Sequence, residues 1–252
     1  MIPTSTKNSR VLSLNNQAVR CLQQQDYRKS IETFLLALGK QKEAIKATTS
    51  SSSSRQQEAA HALQKLPSEE EDRAQQVINE KSYFISQSLE CTSTREEEDA
   101  PFQLFDRVFL LSRHDPTSAS HRDGTSAVIL FNMAMAHHHR GIRFNQRLQL
   151  AKAVRMYQWA LSAVQHWEKT TSCPNNSSGC HVLRLAILNN MAHANYCGRR
   201  NQDAVHSLKC LRDILVYAKG CVPPKDFAFF TGNIVALCHK SGGIVQAPAA
   251  AA

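Results

Sequence analysis

Glycine, proline and long apolar runs are scarce in this sequence of 252 residues. It contains 9 Gly and 8 Pro, and no apolar run approaches the ~20 residues that cross a bilayer as a helix. We therefore expect no transmembrane segment. The absence of Gly-rich turns and of a phosphate-binding loop argues against a Rossmann sheet, a β-sandwich and a β-barrel. Frequent Ala, Leu and Gln instead predict an all-α protein.

Charge is distributed unevenly along the chain, whose formal net charge is +9. Residues 41–100 carry twelve acidic and seven basic side chains, whereas the regions on both sides are basic. This stretch also contains a serine run, so it can build little core. We predict an acidic, Ser-rich and partly disordered insertion at 45–126. Within it, residues 59–66 could be helical, and residues 101–111 (PFQLFDRVFLL) are apolar enough to dock as a short strand or extended segment.

One short pattern recurs three times in the sequence. LNNQA begins at Leu14, LFNMA at Leu130 and LNNMA at Leu188, each followed by apolar residues at helical spacing. The small residues that recur are Ala18, Ala134 and Ala192 in the first helix of each copy, and Ser30, Ala153 and Ala204 in the second. In the second copy the two small residues lie seven positions further apart than in the others, which predicts an enlarged turn there.

These residues resemble the tetratricopeptide repeat (TPR), a helix-turn-helix unit of ~34 residues. The resemblance implies a TPR-like α-α superhelix, which is an all-α fold. The predicted parts are helix pairs at 11–44, 127–167 and 185–218, a capping helix at 224–240 and a flexible tail at 241–252. The long insertion departs from regular arrays of the family, so regular stacking of the first pair on the second does not follow from the sequence.

The resemblance implies a concave groove lined by the first helix of each pair. The residues in the groove positions are Asn15, Val19, Leu22, Phe131, Met135, His138, His139, Asn189, His193 and Tyr196. This set contains no Lys or Arg, which disfavours a clamp for the terminal carboxylate of chaperones. We expect instead a protein or peptide partner, either a helix or an extended segment with an apolar face. The alternative is that several of these residues face the capping helix or the inserted segment.

A basic patch supports a second candidate function, nucleic-acid (RNA) binding. Its residues cluster around the turns of the second and third copies and are Arg140, Arg143, Arg147, Lys152, Arg155, Arg199 and Arg200. Aromatic residues are not interleaved with them as base-stacking platforms would require. The simpler interpretation is that these are the solvated ends of helices.

No sequence motif indicates an enzyme, a cofactor or a metal. Cys, His and Asp are present, but no nucleophile elbow, oxyanion loop or carboxylate pair accompanies them. The run His137 to His139 cannot offer three ligands to one ion, because consecutive helical residues point ~100° apart. We expect a non-catalytic adaptor or scaffold in the cytoplasm or nucleus, since the N-terminus lacks an apolar signal region. Its acid-free first 25 residues would also fit a transit peptide.

Overall fold

The computed structural model describes residues 4–62, 84–89, 102–112, 119–170 and 178–242. Within these ranges the chain forms seven helices and two strands. In chain order they are α1 (Thr4–Gln23), α2 (Tyr27–Ala62), β1 (Phe84–Ser88), β2 (Arg107–Leu111), α3 (Ala119–Arg143), α4 (Arg147–Thr170), α5 (Ser178–Cys197), α6 (Asn201–Tyr217) and α7 (Pro224–Gly242). The predicted all-α class is confirmed, and no helix in the described ranges is both long and apolar enough to cross a membrane.

The helices pack in the order in which they occur in the chain. α1 contacts α2, α3 contacts α4 and α5 contacts α6, and each pair packs on the next. α2 lies against α3 although the insertion separates them, so the interruption does not disturb the stacking of the first pair on the second. α7 follows at the end and packs against α6 and α5.

The small residues predicted at helix contacts occupy the interior. Each of the six has an exposed fraction of 1% or less: Ala18, Ser30, Ala134, Ala153, Ala192 and Ala204. In the first pair the Ser30 hydroxyl donates to the Ala18 carbonyl oxygen across the helix contact, at 2.9 Å. Small side chains let the two backbones approach this closely, so the predicted register of the repeats agrees with the burial.

The three pairs share one turn. Its second residue has a positive φ in every copy, at Gln25 (60°), Asn145 (48°) and Arg199 (62°). The next backbone N–H then donates to a carbonyl five residues earlier, as in Asp26 to Cys21. This is a Schellman-type helix end. The enlarged turn predicted for the second copy is therefore wrong.

The seven extra residues of the second copy lengthen its two helices instead. Ile142 near the end of α3 and Leu150 near the start of α4 are both buried, so each apolar face continues further towards the turn. Gly141 permits the close approach, because a Cβ there would lie 2.7 Å from Leu150 Cδ2. The free energy gained by burying these apolar residues close to the turn therefore favours two longer helices over a longer loop.

The helices begin in different ways. Asp26 caps α2, since its Oδ1 accepts from the Lys29 N–H at 3.1 Å, and Pro224 opens α7. Asn201 is the first helical residue of α6 and is preceded by Arg200, which makes no side-chain capping bond.

The predicted insertion at 45–126 is not a single loop. Its first part continues α2 to Ala62, because no Gly or Pro interrupts the chain between Lys40 and Leu66. β1 and β2 pair antiparallel, with Phe84 opposite Leu111. The two acidic clusters of the insertion, residues 69–72 and 96–99, and the part of the predicted helix beyond Ala62 lie outside the described residues. At the other end of the chain, α7 includes the first two residues of the predicted tail.

Candidate binding groove

Residues 102–112, here called the groove segment, cross the first helix of every pair in extended conformation. Four asparagines each bind both backbone polar groups of one of its residues, and we call them the asparagine ladder: Asn16 of α1, Asn132 of α3, Asn190 of α5 and Asn233 of α7. The short strand or extended segment predicted at 101–111 is observed as a strand over Arg107–Leu111. The candidate site is therefore a groove formed by α1, α3, α5 and α7.

Each ladder asparagine makes two hydrogen bonds to a single residue of the groove segment. Its Oδ1 accepts from the backbone N–H and its Nδ2 donates to the carbonyl oxygen of that same residue. The two distances are 2.9 and 2.8 Å for Asn233 with Gln103, 2.8 and 3.0 Å for Asn190 with Phe105, 2.9 and 2.7 Å for Asn132 with Phe109, and 3.2 Å twice for Asn16 with Leu111.

This geometry follows from the chemistry of the amide group. An Asn side chain carries one acceptor and a two-hydrogen donor, which together complement a peptide N–H and C=O. Backbone groups of alternate strand residues point to opposite edges, so odd-numbered residues face the ladder and even-numbered residues face β1. The Leu89 N–H accordingly donates to the Asp106 carbonyl at 3.0 Å. The ladder thus binds polypeptide backbone without requiring a particular side chain.

Two further asparagines support the ladder. Asn15 Nδ2 donates to the Phe109 carbonyl at 3.2 Å, and its Oδ1 accepts from Asn132 at 3.1 Å. Asn189 Nδ2 donates to the Gln103 carbonyl at 3.0 Å, and its Oδ1 accepts from Asn233 at 2.7 Å. The Leu-Asn-Asn sequences at Leu14 and Leu188 therefore each supply one ladder amide and a second amide, which also binds the segment and joins neighbouring positions of the ladder.

Aromatic side chains of the groove segment enter the helical layer. The Phe109 ring lies 5.1 Å from that of Phe131, and the Phe105 ring lies 5.2 Å from that of Phe230. Phe102 lies edge-on to His193, at 5.8 Å between ring centroids. All three phenylalanines of the segment are buried. The side chains thus add apolar contact to the hydrogen bonds of the backbone.

Two charged residues of the groove segment meet charged or titratable partners. Arg107 Nη1 lies 2.8 Å from Asp226 Oδ1, and the Asp226 side chain is only 8% exposed. Asp106 Oδ1 lies 3.0 Å from Nε2 of His139, whose side chain is 5% exposed. These contacts fix the side chains between the two central positions of the ladder.

Behind the segment lies a buried polar cluster. His193 Nδ1 is 3.2 Å from His138 Nε2, and His138 Nδ1 is 3.2 Å from the Tyr157 hydroxyl, which donates to Met135 Sδ. Burial lowers the pKa of His193 to about 4 and holds the pKa of His138 well below its usual range. Burial also raises the pKa of Tyr157. The side chains of His193, His138 and Tyr157 are therefore uncharged at neutral pH.

The residues predicted to line the groove fall into two sets. Those in contact with the groove segment are Asn15, Phe131, His139, Asn189, His193 and Tyr196. Those buried in the core or in the polar cluster are Val19, Leu22, Met135 and His138. For the first set the structure supports the alternative that the sequence left open, namely that they face the inserted segment.

Sequence reasoning did not identify the ladder as a ligand-binding feature. Asn16, Asn132 and Asn190 belong to the recurring LNNQA, LFNMA and LNNMA pattern, whereas Asn233 lies in α7, outside any copy of it. The sequence did contain a signal that could have identified the ladder, because burying an amide costs free energy unless the amide is hydrogen-bonded. The same amide at the same position of three repeats therefore indicates a common partner.

The basic patch has a different environment. Arg140 is half-buried, whereas the other six residues are exposed at or near the turns: Arg143, Arg147, Lys152, Arg155, Arg199 and Arg200. Among the described residues no cluster of three His, Cys, Asp or Glu could hold a metal. Burial raises the pKa of Cys180 to about 12, so its thiol is a poor nucleophile at neutral pH.

Comparison with protein-family models, with curated proteins and with solved structures found no match for this chain. The groove itself is therefore what indicates a function.

Proposed function

We propose that this chain is a non-catalytic adaptor or scaffold of TPR-like type that binds protein or peptide segments in its groove. The observation that carries the proposal is the asparagine ladder, because it binds both polar groups of four backbone units. Such binding suits any extended polypeptide whose side chains fit the apolar pockets. We further propose that it acts in the cytoplasm or nucleus.

The TPR-like assignment has three independent supports. The small residues of the repeat are buried at the helix contacts, the three turns share one backbone geometry, and successive pairs stack in chain order. A groove made by the first helices is what such stacking produces. Together they favour a repeat that presents one continuous binding surface.

The proposal predicts that the groove binds the segment sequence as a separate peptide. We would label a synthetic peptide of residues 102–112 with fluorescein and titrate it with the full chain by fluorescence anisotropy. Because the tethered segment competes at an effective concentration in the millimolar range, a second chain carries Phe105→Ala and Phe109→Ala. We expect this double variant to bind the peptide at least tenfold more tightly than the unaltered chain.

The groove is tested by a matched pair of substitutions in the double variant. Asn190→Leu removes one ladder amide and should abolish binding, whereas Asn201→Leu alters an exposed asparagine of α6 and should leave binding unchanged. If the double variant does not fold by circular dichroism, the unaltered chain at high peptide concentration decides the matter. Absence of binding there would contradict the proposal.

A further inference from the structure

The groove segment shows how this groove holds a polypeptide. The structure gives the direction of its chain, the spacing of its aromatic residues and the contacts of its charged residues. We infer that the groove selects an extended partner segment that runs against the chain order of the helix pairs. We also infer that this partner carries an acidic residue followed by arginine between two aromatic residues four positions apart. The inference rests on the proposed function, because it names the partner of the same groove.

Direction is encoded in the orientation of the ladder amides. Passing from Gln103 to Leu111, the segment meets α7, α5, α3 and α1 in turn. A reversed segment would exchange the positions of N–H and C=O, and every ladder amide would have to flip. Neighbouring groups oppose this flip, since Asn189 Nδ2 donates to Asn190 Oδ1 at 3.2 Å while Asn190 Nδ2 donates to Met135 Sδ at 3.0 Å.

Spacing is set by the two central positions of the ladder. Asn190 and Asn132 bind backbone units that are four residues apart in the segment, those of Phe105 and Phe109. Each of these rings meets an aromatic ring of the protein, Phe230 of α7 for the first and Phe131 of α3 for the second. A partner must therefore place aromatic side chains at both positions to fill the same space.

Charge selection comes from residues that the groove holds away from water. The Asp226 carboxylate lies within the first turn of α7 and is buried, with Arg107 of the segment 2.8 Å away. An occupant without a cation at this position would leave a buried carboxylate unpaired, which is strongly unfavourable. His139 is also buried and faces the preceding position, which holds Asp106. Opposite charges at adjacent positions thus distinguish the correct partner from other apolar segments.

The tethered segment also determines how such a partner binds. It already satisfies the ladder and pairs with β1, so an external segment must displace it. Tethering gives the resident segment an effective concentration in the millimolar range. A partner with the same pattern can compete with the groove segment if its local concentration is high or if it makes additional contacts.

The test uses three fluorescein-labelled peptides and three full-length chains. The peptides are the segment 102–112, the same sequence with Arg107→Glu, and the segment sequence in reverse order. The chains are the unaltered protein, Asp226→Lys, and the matched control Asp213→Lys, which makes the same charge change at an exposed position of α6. Anisotropy titrations give the order of affinities for each chain.

We expect the unaltered chain and Asp213→Lys to bind the segment peptide about tenfold more tightly than either altered peptide. Asp226→Lys should invert the preference between arginine and glutamate, because lysine would now face that position. The same order of affinities in all three chains would overturn the charge assignment. The direction would be overturned if a spin label on the N-terminus of the bound segment peptide broadened NMR signals of α1 instead of those of α7.

Two further outcomes are distinguishable. If Asp226→Lys does not fold by circular dichroism, the comparison of the three peptides on the other two chains still decides between selection and indifference. If no peptide binds any chain even at high concentration, the proposed function itself fails.

Discussion

The first and second helices of each pair differ sharply in what they bury. Residues 131–139 of α3 and residues 185–195 of α5 are buried without interruption, including several His and Asn side chains. α4 and α6, by contrast, expose a residue at every turn, and α4 carries three of the seven residues of the basic patch. First helices lie between neighbouring helices and the groove segment, whereas second helices have one side in solvent.

This difference shows which layer of helices holds the polar groups that need a binding partner. Exposed charge on the second helices is largely solvated and requires no partner. Buried polar groups on the first helices must be satisfied, and their partners are the backbone and charges of the groove segment. The four ladder asparagines, together with Asn15 and Asn189, therefore indicate more about function than the net charge of +9 does. The predictions below contrast matched positions in these two layers.

The largest contrast concerns alanine. Ala134→Asp on α3 would bury an unpaired carboxylate at a helix contact and should lower the free energy of unfolding by about 4 kcal/mol. Ala151→Asp on α4 lies on the exposed face and should cost less than about 1 kcal/mol. Urea denaturation of both variants measures the difference. Equal losses would mean that the repeat register is wrong.

The next contrast concerns histidine and pH. The pKa of His193 is lowered to about 4 in the folded state, so the unfolded chain binds more protons below pH 6.5. The contribution of His193 is therefore present above pH 6.5 and is lost as the pH falls from 6.5 to about 4. The loss amounts to about 3 kcal/mol, and His138 acts in the same direction.

Denaturation as a function of pH checks this prediction. His193→Gln should flatten the acid slope, and His206→Gln, which alters an exposed residue of α6, should leave it unchanged. An identical slope in the unaltered chain and in His193→Gln would refute the assignment of the acid sensitivity to the buried cluster.

A smaller contrast concerns asparagine. Asn132→Leu leaves the N–H and C=O of Phe109 without their ladder bonds and should cost about 2 kcal/mol. Asn201→Leu at the exposed start of α6 should change stability by less than about 0.5 kcal/mol. Thermal denaturation of both variants measures this. A loss at Asn201 as large as that at Asn132 would show that the ladder bonds add nothing.

The smallest effects are expected in the basic patch. Arg143→Ala and Arg155→Ala should each alter stability by less than about 0.5 kcal/mol. If these residues bind RNA, capture of a labelled single-stranded RNA should weaken steeply with added salt, whereas peptide binding in the groove should change little. Salt-sensitive RNA capture that both substitutions reduce would favour the nucleic-acid alternative over the peptide groove.

Sequence reasoning predicted the helical layers well, because small and large apolar residues recur at fixed spacing. It also identified residues 101–111 as an extended or strand-forming segment. It could not place that segment in the groove, since the ladder binds backbone groups and leaves little trace in the sequence of the bound segment. It missed Asn233, which lies outside the repeats, and mistook a lengthened α3 and α4 for an enlarged turn.

Amide hydrogen exchange, resolved by residue with NMR, tests the central claim most directly. If the asparagine ladder holds the groove segment, the N–H groups of Gln103, Phe105, Phe109 and Leu111 should exchange slowly. Asn190→Leu should then accelerate exchange most strongly at Phe105. Exchange of all four groups at the rate of an unstructured peptide would contradict the account.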